Sequence, residues 1–170
     1  MEEFNLATII EAIARRHPTR EAIVWGDRRI TFGQLADRTG RLANHLLSRG
    51  LGIRSERSAL EPWQSGQHHL ALYLHNGNEY LEGMVGAYKA RVAPFNVNYR
   101  YVEEELRYLL DDAGARAIIF HSSFAPTLAA VRDELPELQV LLQVPDESGH
   151  DLLPGAEWYT MARAPASLSR

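Results

Sequence analysis

The most pointed polar cluster in the sequence is the run Asn96-Val97-Asn98-Tyr99-Arg100-Tyr101. The run falls between an expected strand and an expected helix, where α/β proteins place ligand contacts. Asn96, Tyr99 and Arg100 are therefore candidates for the edge of a binding site. The alternative is that Asn96 and Asn98 satisfy loop backbone while the tyrosines pack.

His75 and His121 each follow an expected strand, and strand carboxyl ends line the ligand crevice of a parallel sheet. His68 and His69 are adjacent, so in a strand they point to opposite faces and are poorly placed to share a metal. No H-E-x-x-H or G-x-S-x-G motif is present, and Ser122-Ser123 more simply start a helix than serve as a hydrolase elbow. The glycines are dispersed and match neither a P-loop nor a dinucleotide fingerprint. Lys89, the single lysine, is read as a surface or snorkelling side chain. No catalytic, metal or cofactor-binding residue is assigned.

These side chains need a frame. Leu6, Ile9, Ile10 and Ile13 fall at helical spacing, and His17-Pro18 ends that helix. Glu21–Trp25 and Arg28–Thr31 read as two strands around a Gly26-Asp27 turn. Thr31 and Gln34 form a capping box for a helix burying Leu35, Leu42, Ala43, Leu46 and Leu47. Residues 53–68 read as a long polar loop, functional or mobile. A strand follows over His69–Leu74. Next comes a helix with Asn78 as N-cap, Tyr80, Leu81, Met84, Val85 and Tyr88 on one face, and Gly83 and Gly86 at close approaches. Val92–Val97, interrupted by Pro94, reads as an edge or irregular strand. Val102–Ala113 reads as a helix with Glu103, Glu104 and Glu105 at its positive end. Ala115–Phe120 (strand), Phe124–Leu135 (helix) and Leu138–Val144 (strand) follow. The alternation predicts an α/β domain whose partial, largely parallel sheet is flanked by helices.

Composition sets bounds. A chain of 170 residues suits one domain or one large subdomain. Net charge is −4 and basic residues are scattered, which gives no nucleic-acid footprint. Cysteine is absent, which removes disulfide and thiol chemistry. The acidic start Met1-Glu2-Glu3 is unlike a signal peptide, and no apolar run approaches the ~20 residues of a membrane helix. The reading is cytoplasmic, with peripheral membrane contact left open.

Three stretches carry a family resemblance. They are Pro18-x-x-x-Ala22-Ile23 with Ile30-Thr31-Phe32-Gly33-Gln34-Leu35; Asn76-x-x-Glu79-Tyr80 running to Gly86-x-x-Lys89-Ala90; and Pro94-x-Asn96 followed by Glu105-Leu106-x-Tyr108. In this order and spacing they resemble the N-terminal part of AMP-forming acyl-CoA synthetases. These belong to the adenylate-forming superfamily, with luciferases and peptide-synthetase adenylation domains. The wording of residues 96–101 is most similar to fatty-acyl or sterol-side-chain CoA ligases of lipid catabolism. The resemblance covers about residues 5–145. It implies a two-step reaction: ATP and a carboxylate give an acyl-adenylate and pyrophosphate, then coenzyme A displaces AMP.

The resemblance also implies what the 170 residues lack. The family's phosphate loop, adenine motif, ribose-binding aspartate, Mg-binding glutamate and catalytic lysine come later in its order than anything here. The family's short G-x-x-x-G-D turn is replaced by Ile53–His68. The expectation is an N-terminal subdomain over residues 1–150, with 151–170 a linker or frayed tail. ATP, Mg and coenzyme A are expected for the full-length family enzyme and none for this chain alone. Its expected partners are the synthetase's nucleotide-binding and C-terminal parts, with self-association through an exposed apolar face. A stand-alone module pairing with a full-length synthetase, and an unrelated small-ligand α/β domain, are the alternatives.

Overall fold

The computed structural model describes residues 6–162. Seven strands and six helices appear in the order α1 (Leu6–Arg16), β1 (Glu21–Trp25), β2 (Arg28–Thr31), α2 (Phe32–Ser48), β3 (His69–Tyr73), α3 (Asn78–Lys89), β4 (Ala93–Asn96), α4 (Glu103–Asp112), β5 (Ala115–His121), α5 (Ala125–Val131), β6 (Val140–Val144), β7 (Glu157–Trp158) and α6 (Tyr159–Ala162). β1 and β2 form an antiparallel hairpin. The other five strands form one sheet in the order β4-β3-β5-β6-β7. Every pairing in it is parallel.

A parallel sheet needs cover on both faces, and its central strands here are mostly apolar. Side-chain alternation divides the core in two. Leu70, Leu72, Ile119 and Leu142 face one cluster with Leu42 and Leu46 of α2 and Ala87 of α3. Ala71, Tyr73, Ile118, Phe120 and Leu141 face the other, with Leu106 and Leu110 of α4 and Leu128 of α5. Two glycines set the first layer's spacing. A Cβ on Gly86 would lie 2.6 Å from Leu42 Cδ2, and one on Gly83 would lie 2.8 Å from Leu72 Cδ2. α3 can therefore seat against α2 and β3 only with bare backbone at these positions.

The local signals hold where they rest on backbone chemistry. Thr31 Oγ1 accepts from the Gln34 N–H, and Gln34 Oε1 accepts from the Thr31 N–H. β4, which carries Pro94, is an edge strand, where a missing N–H leaves no ladder partner orphaned. Glu105 accepts from the Val102 N–H ahead of α4.

Four expectations are corrected, and the expected α1 turns its apolar stripe outward. Asn78 is not an N-cap: Gly77 holds that place in extended backbone, and Asn78 is the first helical residue, with a buried side chain. Leu47 is half-exposed, because the stripe of α2 that meets the core is narrower than its apolar content. α1 buries Ala7 and Ala14 and leaves Leu6, Ile9 and Ile13 at 56%, 46% and 37% exposure. The 124–135 helix is interrupted: a 3-10 turn over Ser122–Phe124 precedes α5, and another over Arg132–Glu134 follows it. Residues 151–162 are not a loose tail, since β7 adds to the sheet beside β6 and Tyr159 is buried. The rest of the expected tail, 163–170, lies outside the described residues.

The 53–68 loop is organised by its own polar groups. Ile53 and Gln67 form an isolated antiparallel bridge. Arg57 donates to the carbonyls of Glu61, Pro62 and Gln64 at 3.1–3.2 Å. The loop thus closes on itself and leaves Trp63 80% exposed.

Candidate functional site

The carboxyl ends of β3 and β5 are adjacent because those strands pair directly. That register brings together residues far apart in sequence. The His75 N–H donates to His121 Nδ1 at 3.1 Å. The His75 ring lies 5.6 Å from the His121 ring, 5.1 Å from Tyr99 and 4.8 Å from Phe124. Tyr99 carries the Arg100 guanidinium 5.5 Å from its ring centroid, within cation–π range. Asn98 Oδ1 accepts from the Arg100 N–H, which fixes the turn.

Electrostatics sharpen the picture. Burial pushes the His121 pKa down, against the raising influence of Asp146 and Glu79. A neutral imidazole whose Nδ1 accepts a backbone N–H carries its proton on Nε2, so His121 presents a donor. Asp146, just past β6, accepts from the backbone N–H groups of Ser123 and Ser148, both at 2.9 Å. Burial alone would raise its pKa, but hydrogen bonds from Ser148 and Ser123 outweigh it and hold the carboxyl at about 2. His121 and Asp146 line a cleft of about 470 Å³ with His75 and with Trp25 and Arg28 of the hairpin.

The structure brings the Tyr99 ring to His75, which in turn lies beside His121. Asn96 closes β4 with an exposed side chain, and Asn96, Tyr99 and Arg100 stand outside the lining of the cleft. Sequence reasoning missed Phe124, Asp146, Trp25 and Arg28, which reach this region from other elements without a local signal. His68 and His69 do diverge in their contacts. His68 Nδ1 accepts from the Gly52 N–H, and His69 Nε2 lies 2.7 Å from Ser65 Oγ. Lys89 is not a free surface charge: it donates to the Ala36 carbonyl and pairs with Glu11.

A nucleotide triphosphate with its metal does not fit the described residues. The lysine is committed between helices. No group of three or more His, Asp or Glu side chains among the described residues could hold a metal ion. The glycines with left-handed backbone sit singly in separate turns, except Gly50 and Gly52 at the end of α2. They do not form a cradle of converging N–H groups.

A parallel sheet in this order, covered by helices and preceded by an antiparallel hairpin, is the N-terminal part of the adenylate-forming enzyme fold. The anthranilate CoA ligase AuaEII superposes with a TM-score of 0.77 at 20% identity, over 94% of this chain and 28% of that one. The chain belongs to the AMP-binding enzyme family, whose sequence model matches residues 10–167. The medium-chain acyl-CoA ligase Mig of Mycobacterium avium is 51% identical over 96% of the chain and 30% of its own length. A medium/long-chain-fatty-acid and 3-oxocholest-4-en-26-oate CoA ligase of Mycobacterium tuberculosis strain H37Rv is 33% identical over 94% of the chain and 27% of its own. The chain thus spans about 30% of the length of the first of these relatives. Among the described residues no helix is long and apolar enough to cross a membrane.

Proposed function

We propose that these residues are the N-terminal scaffold subdomain of an ATP-dependent acyl-CoA synthetase acting on fatty-acyl substrates. ATP, Mg and coenzyme A are handled by the nucleotide-binding and C-terminal parts of that synthetase. The observation that carries the reading is 51% identity to a medium-chain acyl-CoA ligase across nearly the whole chain. The scaffold supplies a rigid sheet, and the Asn96–Tyr101 turn with His75 and His121 forms an edge of the active site. Asn96, Tyr99 and Arg100 are the candidate ligand contacts of that turn, just outside the cleft that His75 and His121 line.

The test is a chimera. This chain replaces the matching stretch of the Mycobacterium avium ligase, and acyl-CoA formation from medium-chain acids is measured. Thioester formation is expected. A folded, soluble chimera without activity overturns the reading, as does carboxylate-dependent pyrophosphate release by the 170-residue chain alone.

A further inference from the structure

β7 is too short to hold itself. It adds two residues to the sheet edge, pairing Glu157 with Leu142 and Trp158 with Gln143, and a two-residue ladder is a weak restraint. Yet the next residue, Tyr159, is 1% exposed and lies within the α2/α3 side of the core. Something other than the ladder fixes it.

Glu82 of α3 is a carboxylate with no solvent exposure. Its Oε1 accepts from Arg38 Nε of α2 at 2.7 Å and from Asn78 Nδ2 at 2.8 Å. Its Oε2 accepts from the Tyr159 hydroxyl at 3.1 Å. Asn78 Oδ1 in turn accepts from Arg28 of the hairpin at 2.5 Å. A second tie runs along α2: Glu157 pairs with Arg49 and lies 3.7 Å from His45 Nε2.

A buried carboxylate is costly unless paired and hydrogen-bonded, and here its partners come from three separate segments. We infer that Glu82 is a positioning residue: it clamps Tyr159 to α2 and α3 and so sets the place and direction in which the chain leaves the sheet. The hairpin joins the clamp through Arg28 and Asn78. Glu157 steers the strand, and Glu82 fixes the residue after it. The clamp is a property of this chain and does not depend on the synthetase reading.

The test is hydrogen exchange on the 170-residue protein, followed by mass spectrometry. Tyr159→Phe removes one hydroxyl and keeps the ring. Loss of a buried bond to a charged group should speed exchange of the 157–162 amides about tenfold, with β3 and β5 unchanged. Glu82→Gln should give the same local pattern on top of a general loss of stability. Combining it with Tyr159→Phe should then add little locally, because Glu82→Gln weakens the same link that Tyr159→Phe removes. Unchanged exchange at 157–162 in Tyr159→Phe overturns the clamp. So does an equal rise across β3, β5 and 157–162, which marks general loosening. If Glu82→Gln fails to fold, Tyr159→Phe alone decides.

Discussion

His75 donates its backbone N–H to the Nδ1 of His121 across 3.1 Å, joining the ends of two neighbouring parallel strands. The bond requires His121 to remain unprotonated at Nδ1, so a proton there breaks a strand-end contact and places charge in a part-buried ring. Burial lowers the pKa of His121, and also those of His68 and His45. A folded pKa below the unfolded one means the unfolded state binds more protons between the two values. The stabilising contribution is therefore full above the ordinary value of 6.5 and is lost as pH falls from there through the lowered folded value. Chemical denaturation between about pH 5 and 8 should show stability falling with acid. His121→Asn, which cannot titrate, should flatten part of that slope while His45 and His68 maintain the rest.

Asp146 gives a separate, more acidic limb. Its carboxyl is held at about 2 against a usual 3.8. Its contribution is present above the usual value and disappears as pH drops from there toward 2. Asp146→Asn should abolish this limb, and should loosen the loop after β6, because an amide keeps only one acceptor oxygen for the Ser148 N–H and for the Ser123 N–H of the turn after β5. Denaturation midpoints measured across that range check the first effect, and exchange at the Ser148 amide checks the second.

Gly86→Ala should destabilise the protein by about 1–3 kcal/mol. The added methyl meets Leu42, a fully buried side chain, so α2 and α3 must part or Leu42 must leave its rotamer. Gly83→Ala forces the same choice on Leu72. By contrast, Gly40→Ala meets nothing within 4 Å and should be stabilising by up to ~1 kcal/mol, the helix-propensity difference. Urea unfolding of the three variants ranks them.

Breaking the buried pair should be more damaging than overpacking one side chain. Glu82→Ala leaves Arg38 without its carboxylate and Asn78 and Tyr159 without their acceptor, at a cost of about 3 kcal/mol. Arg38 is partly exposed, which lets water soften the loss. Replacing Arg41, which pairs with the exposed Asp37, should cost under ~1 kcal/mol. Thermal or urea denaturation of both variants checks the contrast.

The apolar stripe of α1 should make the isolated chain associate. Leu6, Ile9 and Ile13 share one exposed face, and contiguous apolar surface favours partners or aggregation. Sedimentation velocity and binding of a hydrophobic dye should report this. Ile9→Ser with Ile13→Ser should reduce both signals without changing unfolding stability by more than ~0.5 kcal/mol.

What the sequence determined by itself was set by short-range physics. The Thr31–Gln34 capping box, the Gly26-Asp27 hairpin, the edge position of Pro94 and the close-packing glycines of α3 each follow from local backbone chemistry. Strand-helix alternation then leaves little choice but a parallel sheet with helices on both faces. Helix faces were less legible. Period 3.6 shows that α1 has an apolar stripe but not what covers it, and Ala7 and Ala14 outcompete larger residues for the interior. The end of the chain misled for the same reason: residues 151–162 carry turn-rich sequence, and besides β6 and its Gln143 they are held by Glu82, His45 and Arg49, more than 70 residues earlier. The candidate site divides along the same line. His75, His121 and Tyr99 could be named one by one as residues following strands. That they meet, and that Phe124, Asp146 and Arg28 join them, was decided by the pairing of β3 with β5 and of β5 with β6. Sheet order depends on contacts between distant segments, and no local pattern encodes it.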